Sequence, residues 1–595
     1  MPISSSNPRL AVNTLDVLLK QCYSSPACRR HAPRRHYATG TSTSHINHEA
    51  TDIAVLGGGI TGLASAYFLS RSLPHAKITL FEASSRLGGW LHSRTVDVGT
   101  GNVVFEQGPR NLRPTNPNGF VTLDLVRDIG LEDRVLMTSK NSLAAQNRFV
   151  YYPDHLVRMP GPGMPLLSNV TNLLSEPIFK GAVSGAFFEF MEWRPKRPDD
   201  LKDESIGSFI SRRFGSALAD NVVSAVIHGI YAGDIYKLSA RTILPWAWQS
   251  ESERGSVLEG QLYAAATGRR PVATDDVEII KDFNSRLAMS DTLEAVKKSS
   301  VFTFKGGVGE LAHRLERKLL GSRNVQIHEK TQVNRVRLQP DAKGSRVRIT
   351  TEDVSTKETR DSDFTHTIST ISGSAFARMV RSDEKGVEKG VFPMHPVSLA
   401  KAFSVTVMVV NLFYSNPAIL PVHGFGYLLP RTVPFEQNPE RALGVVFDSD
   451  ASIGQDEVPG TKVTVMFGGH WWDGWNTYPD EDEGAAMAKS ILNRHLGISE
   501  EPRAIRVSLQ RNCIPQYPVG HERNMEKGHD QLERFQGRLR VAGNSYTGVG
   551  LNDCVRAAKD VVKGLVDGTG KTGLESFVGG KKYSWVTAED LNEKR

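Results

Sequence analysis

The run Gly57-Gly58-Gly59-Ile60-Thr61-Gly62 and the acid Glu82 are the first residues whose types and spacing suggest chemistry. Gly57, Gly59 and Gly62 give the spacing GxGxxG. The first glycine allows a tight turn, the second lets backbone approach a pyrophosphate, and the third lets a helix pack on a strand. Glu82 comes 20 residues after Gly62, where a carboxylate can accept from both hydroxyls of a ribose and disfavours a 2′-phosphate. The chemistry is therefore the binding of a dinucleotide, with its pyrophosphate against the N–H groups of a helix N-terminus. The neighbouring segments can position these residues. Thr51 to Leu56 (TDIAVL) reads as a buried strand, LASAYFLSRSL as an amphipathic helix, and Ile78 to Glu82 (ITLFE) as a second strand. Glycines alone are weak grounds; strand, glycines, helix, strand and acid in that order are strong ones.

The next residues bear on which dinucleotide. Glu82 and Ala83 run on to Arg86, Gly88, Gly89 and Trp90 in an E-x3-R-x-G-G pattern, which resembles the second signature of the FAD-binding, amine-oxidase-like flavoproteins. Adjacent glycines bring backbone close to a cofactor, and Arg86 can balance phosphate charge. A Gly-Pro turn follows in FEQGPRNLRP (105–114). Near the other end, the strand RLRVA, a glycine-rich turn from Gly543 to Cys554 and the helix Val555 to Val566 repeat the arrangement of strand, turn and helix N-terminus. The reading is an α/β protein of mixed type with an amine-oxidase-like fold. A Rossmann-type FAD-binding domain comes from 49–115, 301–375 and 516–570. Residues 116–300 supply a helical, membrane-contacting region, 376–515 a mixed-sheet substrate domain, and 571–595 a loosely packed tail.

Further segments narrow the resemblance: QNRFVYY, HGIYAGDIYKLS, FKGGVGEL, GFGYLLP, LGVVFDS, VMFGGH, IPQYPVGH and AGNSYTGVGLNDCV. With the FAD signatures they span Ile53 to about Val562, and together they resemble the protoporphyrinogen IX oxidases. That resemblance implies non-covalent FAD held by Gly57 to Gly62, by Glu82, Ala83, Arg86, Gly89 and Trp90, by Gly108, Pro109, Arg110 and Asn111 beside the isoalloxazine, by the backbone of Val333, and by Asn544, Val549, Gly550 and Leu551. It implies a substrate slot in which Arg148 anchors a propionate, Gly229 turns its carbonyl to the pyrrole N–H groups, and Leu428, Val446 and Met466 sandwich the macrocycle. The family often has Leu and Phe at the last two places. An apolar slot with one fixed guanidinium suits a large, nearly apolar dicarboxylate. Six-electron oxidation of protoporphyrinogen IX with O2 as acceptor, a homodimer and docking with ferrochelatase are also implied. Two other readings stay open: an amine oxidase or polyene desaturase of the same superfamily, and a non-catalytic escort-like binding protein. No side chain is singled out as a general base.

Composition limits the rest. The 595 residues are 39% apolar and 23% charged with a mean hydropathy of −0.30, which excludes a polytopic membrane protein and a largely disordered one. The net charge of +7 hints at a polyanion partner. Residues 1–48, however, hold six basic residues against Asp16 alone, a net of +5. An Arg- and Ser-rich, acid-poor leader is the composition of a mitochondrial or plastid transit peptide, the mitochondrion preferred, with a disordered tail that carries no address as the alternative, so no nucleic-acid role is read from the charge. Cys22, Cys28, Cys513 and Cys554 form no CxxC, and no His spacing suits a metal, so none is expected. Within 159–198, apolar residues such as Phe187, Phe188 and Trp193 precede Arg194, Lys196 and Arg197. This pattern suits either monotopic contact with a bilayer or an inward-facing helical subdomain; the resemblance to the protoporphyrinogen IX oxidases implies the former, at the inner mitochondrial membrane. The long insertion around 245–300 has no assigned role.

Overall fold

The computed structural model describes residues 50–161, 166–191, 195, 197–287, 290–341, 344–380, 396–579 and 583–591. The expected presequence, and Trp193, Arg194 and Lys196 of the expected membrane segment, lie outside the described residues. Five parallel strands form the first sheet, in the order Val325–His328, Lys77–Phe81, Asp52–Leu56, His366–Ser369, Leu539–Val541. The strand Asp52–Leu56 explains its place: Ile53, Ala54, Val55 and Leu56 are all fully buried, as both faces of a parallel sheet must be. Ile53 and Val55 pack with the helices Ile60–Ser72, Gly309–Leu320 and Leu551–Val566. Ala54 and Leu56 pack on the other side, against an antiparallel meander of Thr331–Asp341, Gly344–Asp353 and Thr359–Phe364.

The second sheet has seven strands, ordered Ala504–Pro515, Ser404–Tyr414, Thr461–Gly468, Ala442–Phe447, Gly426–Leu428, Phe149–Tyr151, Leu156–Arg158. One face (Met408, Val410, Tyr427, Val445, Val463, Val465) forms a core with the helix Glu481–Leu496. That helix starts at a capping box in which Asp480 and Glu483 each accept the other's backbone N–H. The opposite face meets the hairpin of Ser93–Asp97 and Asn102–Glu106, where Asn411 donates to the Glu106 carbonyl. A helical unit built on Ile206–Phe214 and Ser224–Tyr231 has its own core and covers the Val150 and Leu428 end of that face.

Three sequence-based boundaries shift. The helix Pro117–Asp128 belongs to the dinucleotide core, because Phe120, Val121, Leu123, Leu125 and Val126 bury against the same cluster as the helix Leu551–Val566. The second half of the 245–300 insertion joins it. The Phe283 ring stacks on Phe120 at 4.4 Å, and the Arg556 guanidinium pairs with Asp276 at 3.2 Å in a buried setting. The C-terminal stretch is not loose over its described part. Tyr583–Val586 pairs antiparallel with Arg270–Ala273 of the insertion, and Leu574, Phe577, Val586 and Leu591 are buried. Its glycines and lysines disguise these apolar anchors.

Candidate functional site

At the C-terminal edge of the parallel sheet, the chain turns at Gly57 (φ +98°) into the helix Ile60–Ser72. The helix N-cap, Gly59, makes no side-chain capping bond, so the N–H groups of Ile60, Thr61 and Gly62 open onto the turn as a phosphate would need. A Cβ on Gly62 would sit 1.8 Å from the Gly57 carbonyl oxygen. Gly59 faces Gly89 instead: a Cβ there would find only the Gly89 Cα, at 3.9 Å. The two strips are joined where Gly88 N–H donates to Gly58 O at 2.8 Å. This leaves a cradle walled largely by backbone, with the side chains of Glu82, Leu87 and Thr370 behind it.

Glu82 is aimed by its neighbours. Gly58 N–H donates to its Oε2 at 2.7 Å and Ser84 N–H to its Oε1 at 2.8 Å. Ala83 is exposed beside it. Val333 lies next to this corner, where Thr331 N–H donates to the Glu82 carbonyl and a bulge interrupts pairing between Val333 and Arg335. Arg86 is exposed beside the double glycine. Its guanidinium donates to the carbonyls of Leu87 (3.0 Å) and Gly89 (2.5 Å), so it shapes the double-glycine loop. Trp90 is 41% exposed and closes over Gly108, whose Cβ would meet the Trp90 carbonyl at 2.3 Å. Pro109 is exposed next to it.

The C-terminal turn completes the cradle. Gly543 packs on Thr61, and the helix Leu551–Val566 begins after Gly550, whose N–H donates to Asp553 at 3.0 Å. The Asn544 carbonyl accepts the Tyr517 hydroxyl. The decisive observation is a set of buried polar atoms with no hydrogen-bond partner: Gln107 Nε2, Arg110 Nη2, Asn111 Nδ2, Thr547 Oγ1 and Asn552 Oδ1. All five lie in the two segments that meet here, and orphaned buried polar groups are costly. A polar, planar ligand such as a flavin ring fits that deficit.

Beyond Arg110 a buried polar network crosses to the second sheet. Arg110 Nη1 donates to both oxygens of Asp448 at 3.0 and 3.2 Å. The Thr464 hydroxyl lies 2.5 Å from Asp448 Oδ2 and 2.7 Å from Asn411 Oδ1, and Asn411 Nδ2 donates to the Glu106 carbonyl at 3.0 Å. Glu106 receives Ser93 Oγ–H at 2.6 Å and Val308 N–H at 2.7 Å. Burial pushes its carboxyl up to about 7. Sequence reasoning singled out none of Glu106, Asn411, Asp448 and Thr464. Two of them stood in quoted segments, Glu106 in FEQGPRN and Asp448 in LGVVFDS, where an acid in an apolar run was the available signal.

The five expected substrate residues gather at the face of the second sheet that looks toward the cradle. Register pairs Leu428 with Gly444 and Gly444 with Met466, and pairs Gly426 with Val446. Side chains alternate along a strand, so Leu428, Val446 and Met466 share this face with Thr464 and Asn411. Val150, opposite Leu428, shares it too, and Arg148 stands two residues before Val150 at the margin. Gly229, on the helix Ser224–Tyr231, approaches from above: a Cβ there would lie 2.7 Å from Leu428 Cδ2. Leu428 and Val549 pack on the same helical core, which brings the slot to the edge of the cradle. Away from both, His529, Asp530 and Glu533 bring ligand-type atoms within 4.8 Å of one another, but His529 Nδ1 is engaged with the Thr572 hydroxyl at 2.7 Å.

Comparison with known proteins agrees with this geometry. The sequence model of the flavin-containing amine oxidoreductases matches residues 60–565. The protoporphyrinogen oxidase of Homo sapiens is 34% identical over 520 residues, 85% of this chain and 96% of that protein. That of Schizosaccharomyces pombe is 33% identical over 512 residues, 84% of this chain and 96% of that protein. A crystal structure from Exiguobacterium sp. 255-15 shares the fold at a TM-score of 0.62 with 21% identity, covering 88% of this chain and 99% of its own.

Proposed function

The chain belongs to the flavin-containing amine oxidoreductases and, within them, to the protoporphyrinogen oxidases; from that premise we propose that it oxidises protoporphyrinogen IX to protoporphyrin IX, with non-covalent FAD as its cofactor and O2 as the final acceptor. The observation that carries the reading is the shared face. Leu428, Val446 and Met466 form one apolar wall, Gly229 approaches it, and the wall ends at the residues whose orphaned polar atoms fit a flavin.

When bound, FAD would supply the two-electron redox chemistry. The chain's own residues do the positioning. The glycine cradle, the N-terminus of the helix Ile60–Ser72 and Glu82 hold the dinucleotide end. Arg110, Asn111, Thr547 and Asn552 offer their unused polar atoms at the ring end. The Arg110–Asp448 pair ties that end to the slot. The wall excludes water and fixes the macrocycle's plane, so alignment is the protein's main contribution. Arg148 anchors a propionate at the margin.

We extend the proposal to peripheral contact with the inner mitochondrial membrane. The helix Ala182–Phe190 supports it by being inverted. Phe187 and Phe188 are exposed, whereas Glu189 is fully buried and accepts from Arg213 at 2.6 Å. Leu174 and Met191 extend the exposed apolar surface, and a bilayer is the environment that such a face suits. No helix of the described residues is long and apolar enough to cross a membrane. The leader's composition supports the mitochondrial address.

One assay tests the activity: purified FAD-loaded protein should turn colourless protoporphyrinogen IX into fluorescent porphyrin with formation of hydrogen peroxide. No fluorescence gain would overturn the reading. Arg148→Ala should raise KM more than it lowers kcat, and an unchanged KM would remove Arg148 as the anchor.

A further inference from the structure

Behind the slot two histidines face each other. His228 Nε2 and His470 Nε2 are 2.8 Å apart, and His228 Nδ1 is 2.7 Å from the carbonyl oxygen of Leu429. A carbonyl only accepts, so the proton of a neutral His228 sits on Nδ1 and its Nε2 is bare. The proton between the rings then belongs to His470 Nε2. Burial holds both imidazoles neutral, pulling His228 down to about 3 and His470 to about 4. The tautomers follow from the geometry: Leu429 C=O accepts from His228, and His228 accepts from His470.

Two of the three groups so linked adjoin a slot residue, and the third lies just past a strand that carries one. His228 precedes Gly229, Leu429 follows Leu428, and His470 follows the strand that carries Met466. A second tie runs beside the first. His470 N–H donates to the Ala232 carbonyl at 2.8 Å, at the end of the helix Ser224–Tyr231. Gly469 (φ +62°) is so close that a Cβ there would lie 2.2 Å from the same carbonyl. In front of this clasp clearance is small: added Cβ atoms on Gly229 and Gly444 would lie 2.7 and 2.9 Å from Leu428 Cδ2.

We propose that His228 and His470 are positioning residues: a tautomer-locked imidazole pair that sets the gap between the helix of Gly229 and the sheet face of Leu428 and Met466, and so the width of the porphyrinogen slot. This rests on the reading of Gly229, Leu428 and Met466 as substrate residues. The backbone tie to Ala232 stays in any variant at 470, so the variants test the N–H···N bond alone, which is lost when its donor is removed and kept when the donor is replaced. Gln at 470 places an N–H where the imidazole had one, whereas Leu places none.

The test is steady-state kinetics of FAD-loaded wild type, His470→Gln, His470→Leu and Leu428→Ala, with melting temperatures alongside. His470→Leu should raise KM for protoporphyrinogen IX about tenfold with kcat within about twofold, and His470→Gln should bring KM back to within about threefold of wild type. An unchanged KM in His470→Leu, or an equal rise in both variants, would overturn the clasp. A parallel loss of kcat and melting temperature in both would also overturn it, by making the pair merely structural. Leu428→Ala separates the two layers of the argument. If its KM is unchanged, the slot reading has failed; if its KM rises while that of His470→Leu does not, only the clasp has. Should His470→Leu not fold, 15N NMR of histidine-labelled wild-type holoenzyme decides. It should show His228 protonated at Nδ1 and His470 at Nε2, and the reverse assignment would overturn the proposal.

Discussion

The proposed dinucleotide cradle and the proposed substrate slot lie side by side but are built on opposite principles. The cradle is made of what side chains leave out. Gly57, Gly62 and Gly89 bring the chain together so closely that a Cβ on Gly62 would lie 1.8 Å from a carbonyl oxygen. The slot is made of side chains, and its residues meet only because Gly426–Leu428, Ala442–Phe447 and Thr461–Gly468 pair in one register. A backbone site is specified locally and tolerates no added atom. A side-chain site is specified by long-range pairing and tolerates changes of shape. The Arg110–Asp448 bridge joins the two, and it is the point where failure should cost most.

Removing that bridge gives the largest expected effect. Asp448→Ala leaves Arg110 as a buried cation without its carboxylate, a change that costs about 3–5 kcal/mol. A urea or thermal melt should record it, and a cost under about 1 kcal/mol would show the bridge to be dispensable. Next comes the cradle. Gly62→Ala must push the helix Ile60–Ser72 off the turn, so flavin binding should weaken at least about a hundredfold, close to 3 kcal/mol. Fluorescence titration with FAD would measure it, and retention of wild-type affinity would mean the turn yields where the geometry says it does not.

Glu106, on the cradle side of the bridge, gives a pH-dependent effect. Its carboxyl titrates at about 7, above the ordinary value of 4.5, because it is buried. Between those values the folded state binds more protons than the unfolded one. Stability therefore falls as pH rises through that window and levels off above it. Glu106→Gln can still accept from Val308 N–H and bond to Ser93, but it cannot ionise. Relative to wild type it should gain up to about 3 kcal/mol on going from about pH 5 to about pH 8. Paired melts at the two pH values would show this, and a difference that does not change with pH would mean Glu106 is ionised in the fold.

The same contrast explains what could be read without coordinates. The strand Asp52–Leu56, the glycine turn, the helix Ile60–Ser72 and Glu82 follow one another in the chain, so their relation is local and visible. The slot residues were visible only through segments resembling known oxidases, because nothing in the vicinity of Leu428 says that it will lie beside Gly444 and face Gly229. The polar network was harder still. Asn411 and Thr464 sit in β-strand patterns of Val, Thr and Phe, and nothing local separates a wall residue from a bridge residue. The helix Pro117–Asp128 was placed in the wrong unit because its apolar stripe says that it packs but not on what. The tail Tyr583–Val586 looked loose because its partner strand lies some three hundred residues away in an insertion that followed no family pattern.

The smallest effect should come from trimming the slot, and it tests whether the contrast is real. Val446 is buried on the shared face opposite Gly426. Val446→Ala removes two methyl groups, worth about 0.8 kcal/mol each if fully buried by the ligand. Because a bound macrocycle covers only part of the side chain, KM should rise by no more than about tenfold, with kcat and flavin affinity unchanged. Val446→Leu adds one carbon and should move KM by less than about threefold in either direction. If Val446→Ala instead released flavin, the slot and the cradle would be one cooperative site. If it left KM untouched, the macrocycle would lie elsewhere, and the wall of Leu428, Val446 and Met466 would be ordinary core. A modest rise confined to KM is the result that keeps a backbone-built cofactor site and a side-chain-built substrate site as separate parts of one enzyme.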